Sequence, residues 1–117
     1  MLKAAKPRPM GPHWAAMQEF DASLYEKAAG WRDGITYHEA ISMREREMIM
    51  VAMTCLIRFE SGVRTHVRYA LAEGVTVEEL NACAALSMLL GGIPAYREGI
   101  LWIRDELEKI KQEGGLK

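Results

Sequence analysis

Apolar residues recur along this chain at helical spacing, and glycines, prolines or capping side chains mark the gaps between runs. From Trp14 to Ala29 the pattern is helical, with Trp14, Met17, Leu24 and Ala28 on one face. Asp21 is placed to cap a second short helix within that run. Gly30 reads as its end, and residues 30–42, with Gly30 and Gly34, read as a loop. Ser42 and Glu45 have the S-x-x-E spacing of a capping box, which predicts a helix from Met43 to about Glu60. Positions 48–57 of it are apolar nearly all round except Thr54, the pattern of a helix buried on every side.

Ser61-Gly62 allow a turn. The next helix, about Val63 to Glu73, turns Val63, His66, Val67 and Ala70 to one face, and Gly74 suits its C-terminal cap. Thr76 and Glu79 form a second capping box and open a helix from Val77 to Leu90, which Gly91-Gly92 stop. Pro94 suits the first turn of the last helix. There Tyr96, Ile100, Ile103, Leu107 and Ile110 form an amphipathic stripe, and Asp105–Lys109 and Glu108–Lys111 pair on the surface. These elements predict an all-α chain of five or six helices: an arm over residues 1–12, rich in proline, and one helical domain over 13–117. The arm's bland reading is a loose tail; the other is a strap around a neighbouring subunit.

Composition adds one pressure to this arrangement. Half of the 117 residues are hydrophobic, more than so short a chain readily hides, so subunit interfaces are expected to bury part of it. Fifteen basic and sixteen acidic residues leave a net charge of −1, without the basic excess of a nucleic-acid binder. The apolar runs are shorter than the roughly 20 residues that span a bilayer, and residues 1–12 have no signal-like apolar core. Cys55 and Cys83 stand apart in apolar runs, which reads as two buried free thiols in a reducing, cytoplasmic setting rather than a disulfide or metal site.

Candidate chemistry is sparse. The phosphate-loop, dinucleotide, zincin and nucleophile-elbow motifs are all missing. Of three histidines, His13 and His38 read as surface residues. His66 lies on an apolar helix face. Its simpler reading is a core histidine satisfied by one hydrogen bond; its other reading is a general acid–base, since imidazole titrates near neutral pH. Glu47, Val51, Thr54 and Arg58 step along one stripe of the central helix, so a carboxylate, a hydroxyl and a guanidinium could face one cleft. Equally, Glu47 and Arg58 could be only the exposed ends of a buried helix. The eight methionines read as core filler.

Three segments in order, Arg44–Ile49, His66–Leu71 and Glu73–Leu80, followed by Gly92-Ile93-Pro94-Ala95, resemble the carboxymuconolactone decarboxylase family over about Ser42 to Leu107. The resemblance implies an orthogonal helical bundle of the alkylhydroperoxidase D-like type, assembled as homotrimers or homohexamers. The peroxidase branch carries a C-x-x-C pair whose second thiol lies four residues before the histidine. Here those positions are Phe59 and Gly62, which disfavours thiol-dependent peroxide reduction. The decarboxylase branch lacks that pair and has a G-V-P-A motif like Gly92–Ala95. It implies cofactor-free, metal-free removal of CO₂ from a small carboxylated lactone in aromatic-acid breakdown. By resemblance His66 is the proton donor, and Glu47 orients it or holds its charge. Arg58, from the spacing argument alone, and Tyr96, just after the motif, are the candidate substrate-binding residues. Tyr96-Arg97 stand where decarboxylases tend to carry small or amide residues, and Glu47 looks more like the redox branch's glutamate. The competing expectation is a non-catalytic oligomer of the same fold that binds a small ligand or partner.

Overall fold

The structure is a computed structural model, and it describes residues 11–115. The described residues form five α-helices and no strand. Most of the expected N-terminal arm lies outside them. They fall into two compact units, one ending at Met43 and one beginning at Arg44, within the stretch expected to form one domain.

The first unit holds α1 (Pro12–Phe20) and α2 (Ala22–Thr36). Pro12 opens α1 rather than closing the arm, because proline's fixed φ suits a first helical turn. Asp21 ends one helix and starts the next. Its N–H donates to the Met17 carbonyl, and its carboxylate accepts from the Leu24 N–H at 3.1 Å. Trp14 meets Tyr25 edge-on at 6.4 Å. The expected stop at Gly30 is wrong: α2 runs through it to Thr36. A glycine inside a helix costs only about 1 kcal/mol relative to alanine, too little to end one that stays hydrogen-bonded.

The second unit holds α3 (from its second residue; Met43–Leu56), α4 (Glu60–Ala72) and α5 (Val77–Gln112). Val51 and Cys55 from α3 pack with Val63, Val67 and Ala70 from α4 and with Leu80, Cys83 and Ile103 from α5. Contrary to the sequence pattern, α3 is not buried all round. Ile49, Met53 and Ile57 are exposed, because α4 and α5 cover only one stripe of it.

α3 also ends before the expected Glu60. The Phe59 N–H donates to the Thr54 carbonyl and the Arg58 N–H to Cys55, the paired bonds of a Schellman cap. Arg58 occupies the left-handed position at φ 57°. α4 closes with the same pair of bonds, but there Gly74 takes the left-handed residue at φ 85° and Val75 tucks into the core. The Thr76–Glu79 capping box forms as predicted, with bonds of 3.1 and 3.0 Å. Gly92, at φ 73° and ψ −177°, divides α5 into two arms, in a region only glycine enters easily.

The second arm is rotated from its predicted stripe. Ala95, Gly99, Ile103, Glu106 and Ile110 are buried, while Tyr96, Ile100 and Leu107 are half-buried. Gly99 allows the close approach that makes this rotation fit: a Cβ there would lie 2.7 Å from the Cys55 Sγ. A buried carboxylate, Glu106, therefore sits on the core face. Arg64 and Arg68 of α4 meet it at 3.1 and 2.5 Å, and so tie α4 to α5. Asp105 pairs with Lys109 at 3.5 Å as predicted, but Glu108 and Lys111 make no ion pair among the described residues.

Candidate active site

Glu47 lies in the first half of α3, on the stripe it shares with Val51 and Thr54, all three buried. His66 lies on α4 between the core residues Val63 and Val67, on the edge of the buried face. The two helices bring the His66 Nδ1 within 2.6 Å of the Glu47 Oε1. Glu47 is 2% exposed and the His66 side chain 20% exposed. Tyr69, one turn after His66, meets the imidazole edge-on at 5.7 Å.

This geometry sets the chemistry of the ring. With Glu47 ionised the carboxylate can only accept, and Nδ1 is then the donor in this pair. In the neutral ring Nε2 then holds the lone pair; in the imidazolium it holds the transferable proton. No hydrogen bond engages Nε2 among the described residues. The buried carboxylate holds the ring in one orientation, as a carboxylate does behind a catalytic imidazole. A merely structural histidine would need only one satisfied nitrogen. Here the carboxylate is buried and the imidazole is the partly exposed partner.

The other two predicted site residues are elsewhere. Arg58 stands past the end of α3, so the Glu47–Val51–Thr54–Arg58 stripe stops at Thr54. α3 rises about 13 Å between Glu47 and Leu56. The Arg58 guanidinium is exposed and ion-paired with Glu98. Tyr96 faces a groove along α5 that neither Glu47 nor His66 lines. Tyr69 was missed by the sequence reading, although its spacing from His66 on one helix could have found it.

The thiols are poorly placed for redox work. Cys55 and Cys83 are free and buried. Burial pushes the Cys55 thiol up to about 11, with neighbouring Cys83 adding to the shift. Burial, then the Glu79 charge, also raises Cys83. Both therefore stay protonated, whereas thiol chemistry needs the thiolate. Phe59 and Gly62 lie at the junction of α3 and α4, and a Cβ on Gly62 would meet the Phe59 ring at 2.5 Å. Among the described residues no three His, Cys, Asp or Glu side chains gather as a metal-ligand set.

The sequence profile of the carboxymuconolactone decarboxylase family matches residues 22–105. A crystal structure from Burkholderia xenovorans LB400, of a protein provisionally assigned as a carboxymuconolactone decarboxylase, superimposes with a TM-score of 0.70. The identity is 17%, over 89% of this chain and 84% of that one, so this likeness speaks to fold alone. Curated proteins yield no significant match.

Proposed function

The chain belongs to the carboxymuconolactone decarboxylase family, and from that premise we propose that it decarboxylates a small carboxylated lactone or similar anion, with His66 as the proton donor and Glu47 as its positioning partner. The observation that carries this reading is the 2.6 Å contact between the buried Glu47 carboxylate and the His66 Nδ1, which leaves Nε2 as the working nitrogen. In the reaction, the bond between carbon and the carboxylate breaks and CO₂ leaves. The electron pair passes into the lactone carbonyl as an enolate, and the His66 imidazolium returns a proton from Nε2 to carbon. Glu47 stabilises the charged ring before transfer and keeps Nε2 aimed after it. Solvent then reprotonates the ring.

A homotrimer or homohexamer in the cytoplasm goes with this reading. Its support is an apolar surface at the α5 kink, where Leu86, Leu89, Leu90 and Ile93 are all more than half exposed, and two free thiols in the core. Among the described residues no helix is long and apolar enough to cross a membrane. Sedimentation showing a stable monomer at micromolar concentration would remove the assembly.

A non-catalytic ligand-binding oligomer is the second reading. What favours it is Arg58: the cation expected to meet a substrate carboxylate is spent on Glu98. CO₂ release from a panel of small lactone carboxylates, measured with the wild type and with His66→Gln, separates the two. Loss of a positioned general acid lowers turnover by about 10²–10⁴-fold, with the melting temperature nearly kept. A folded His66→Gln protein with wild-type turnover removes His66 from the mechanism. A wild type inert across the panel selects the binding reading.

A further inference from the structure

The two arms of α5 border an open groove of about 530 Å³ that the His66–Glu47 pair does not line. That volume lies within the usual range for small-ligand sites, roughly 300–1,000 Å³. Its apolar contribution comes from Val77 on the first arm and from Ile100 and Leu107 on the second. Ile100 and Leu107 are stripe positions left half-buried at the edge of the core, beside the inward face of Ala95, Gly99 and Ile103. Its polar groups are Asn81, Tyr96, Arg104 and Lys111, with Glu108 as the one acid.

The charge pattern identifies the ligand chemistry. Arg44, Arg58, Arg64 and Arg68 in the same unit each hold a carboxylate. Arg104 and Lys111 hold none among the described residues, nor does Arg97, which does not line the groove, and Glu108 next to the first two makes no ion pair. Two cations stand two helical turns apart, about 10 Å along the axis, above an apolar wall. Arg104 presents a planar fork suited to a carboxylate, and Lys111 adds a second positive centre. The Tyr96 hydroxyl and the Asn81 amide complete the polar rim without adding charge.

We propose that this groove is a second binding site, distinct from the His66–Glu47 pair, for a small organic carboxylate with an apolar body. Arg104 receives the carboxylate, and Val77, Ile100 and Leu107 receive the body. The site is independent of the decarboxylase reading, since it shares no residue with the acid–base pair.

The test is calorimetric titration of the intact assembly with naphthalene-2-carboxylate, with the neutral naphthalene-2-carboxamide as control. The carboxylate should bind saturably, and the amide about tenfold or more weaker. Arg104→Gln should weaken the carboxylate by about tenfold or more, and Arg104→Lys by less, because lysine keeps the charge but loses the fork. His66→Gln should bind as the wild type does. No saturable binding, equal affinity for carboxylate and amide, or an Arg104→Gln protein that binds unchanged would each overturn the proposal. Weakening by His66→Gln to the same extent would place the ligand at the acid–base pair instead. Sedimentation of the same Arg104→Gln protein completes the set: dissociation of the assembly would make the groove a contact between copies and overturn the ligand site.

Discussion

Replacing Gly99 with alanine puts a methyl group where α3 already lies. The new Cβ would sit 2.7 Å from the Cys55 Sγ and 3.0 Å from the Cys55 Cβ. Carbon contacts are comfortable at about 3.5–4.0 Å, so one or both helices must move. Overpacking of this kind costs about 1–3 kcal/mol, and the better helix propensity of alanine offsets about 0.5–1 of it. The net expectation is a loss of about 1–2 kcal/mol. Gly30→Ala in α2 calibrates the propensity gain, since nothing lies within 4 Å of its Cβ position, and it should stabilise. Cys55→Ala removes the sulfur. In that background Gly99→Ala should cost little or even stabilise, with only the 3.0 Å contact left to relax. Urea unfolding followed by circular dichroism, at one fixed protein concentration so that assembly contributes equally, measures all four corners of the cycle. An equal loss in both backgrounds, or no loss with Cys55 present, would refute the Gly99–Cys55 approach as what sets the position of α3 on α5.

Three further outcomes follow from the same structure. Arg58→Gly should raise stability slightly, because a left-handed residue other than glycine costs roughly 1–2 kcal/mol while its exposed ion pair returns at most about 1; unfolding midpoints check this, and a rise in KM with intact fold would restore Arg58 as a substrate ligand. Glu106→Ala should destabilise by about 1–3 kcal/mol, less than a fully buried pair, because Arg64 and Arg68 keep exposed faces and other carboxylates; unchanged unfolding would show that the α4–α5 tie is not energetic. The buried thiols should make stability fall in alkali: Cys55 ionises near 9.0 unfolded but only near about 11 folded, so its contribution is whole below the first value and lost as pH rises through the second. Cys55→Ala should flatten that fall between those two pH values, and native protein should resist thiol alkylation until it unfolds.

Much of this molecule follows from local chemistry. Thr76 and Glu79 close a capping box because both partners lie within one helical turn, and Asp21 divides α1 from α2 for the same reason. Gly92 breaks α5, and Pro94 starts its second arm, through backbone preferences that need no neighbour. His66 and Glu47 could be named from the sequence, but their meeting could not be derived from it. They lie on different helices, and only the packing of α3 against α4 brings Nδ1 to Oε1. Arg58 leaves the Glu47–Thr54 stripe because helical spacing holds only while the helix lasts, and two backbone hydrogen bonds turn the chain there. The stripe of the last helix holds at Ile103 and Ile110 but is one position off at its other three residues, for a related reason. Periodicity finds an apolar face but not which edge of it a neighbour will cover. That choice fell to Gly99, whose missing side chain lets Cys55 come close, and to Glu106, whose burial is offset by two arginines on another helix. These are contacts between residues far apart in the chain, so their energies exist only once the helices have packed.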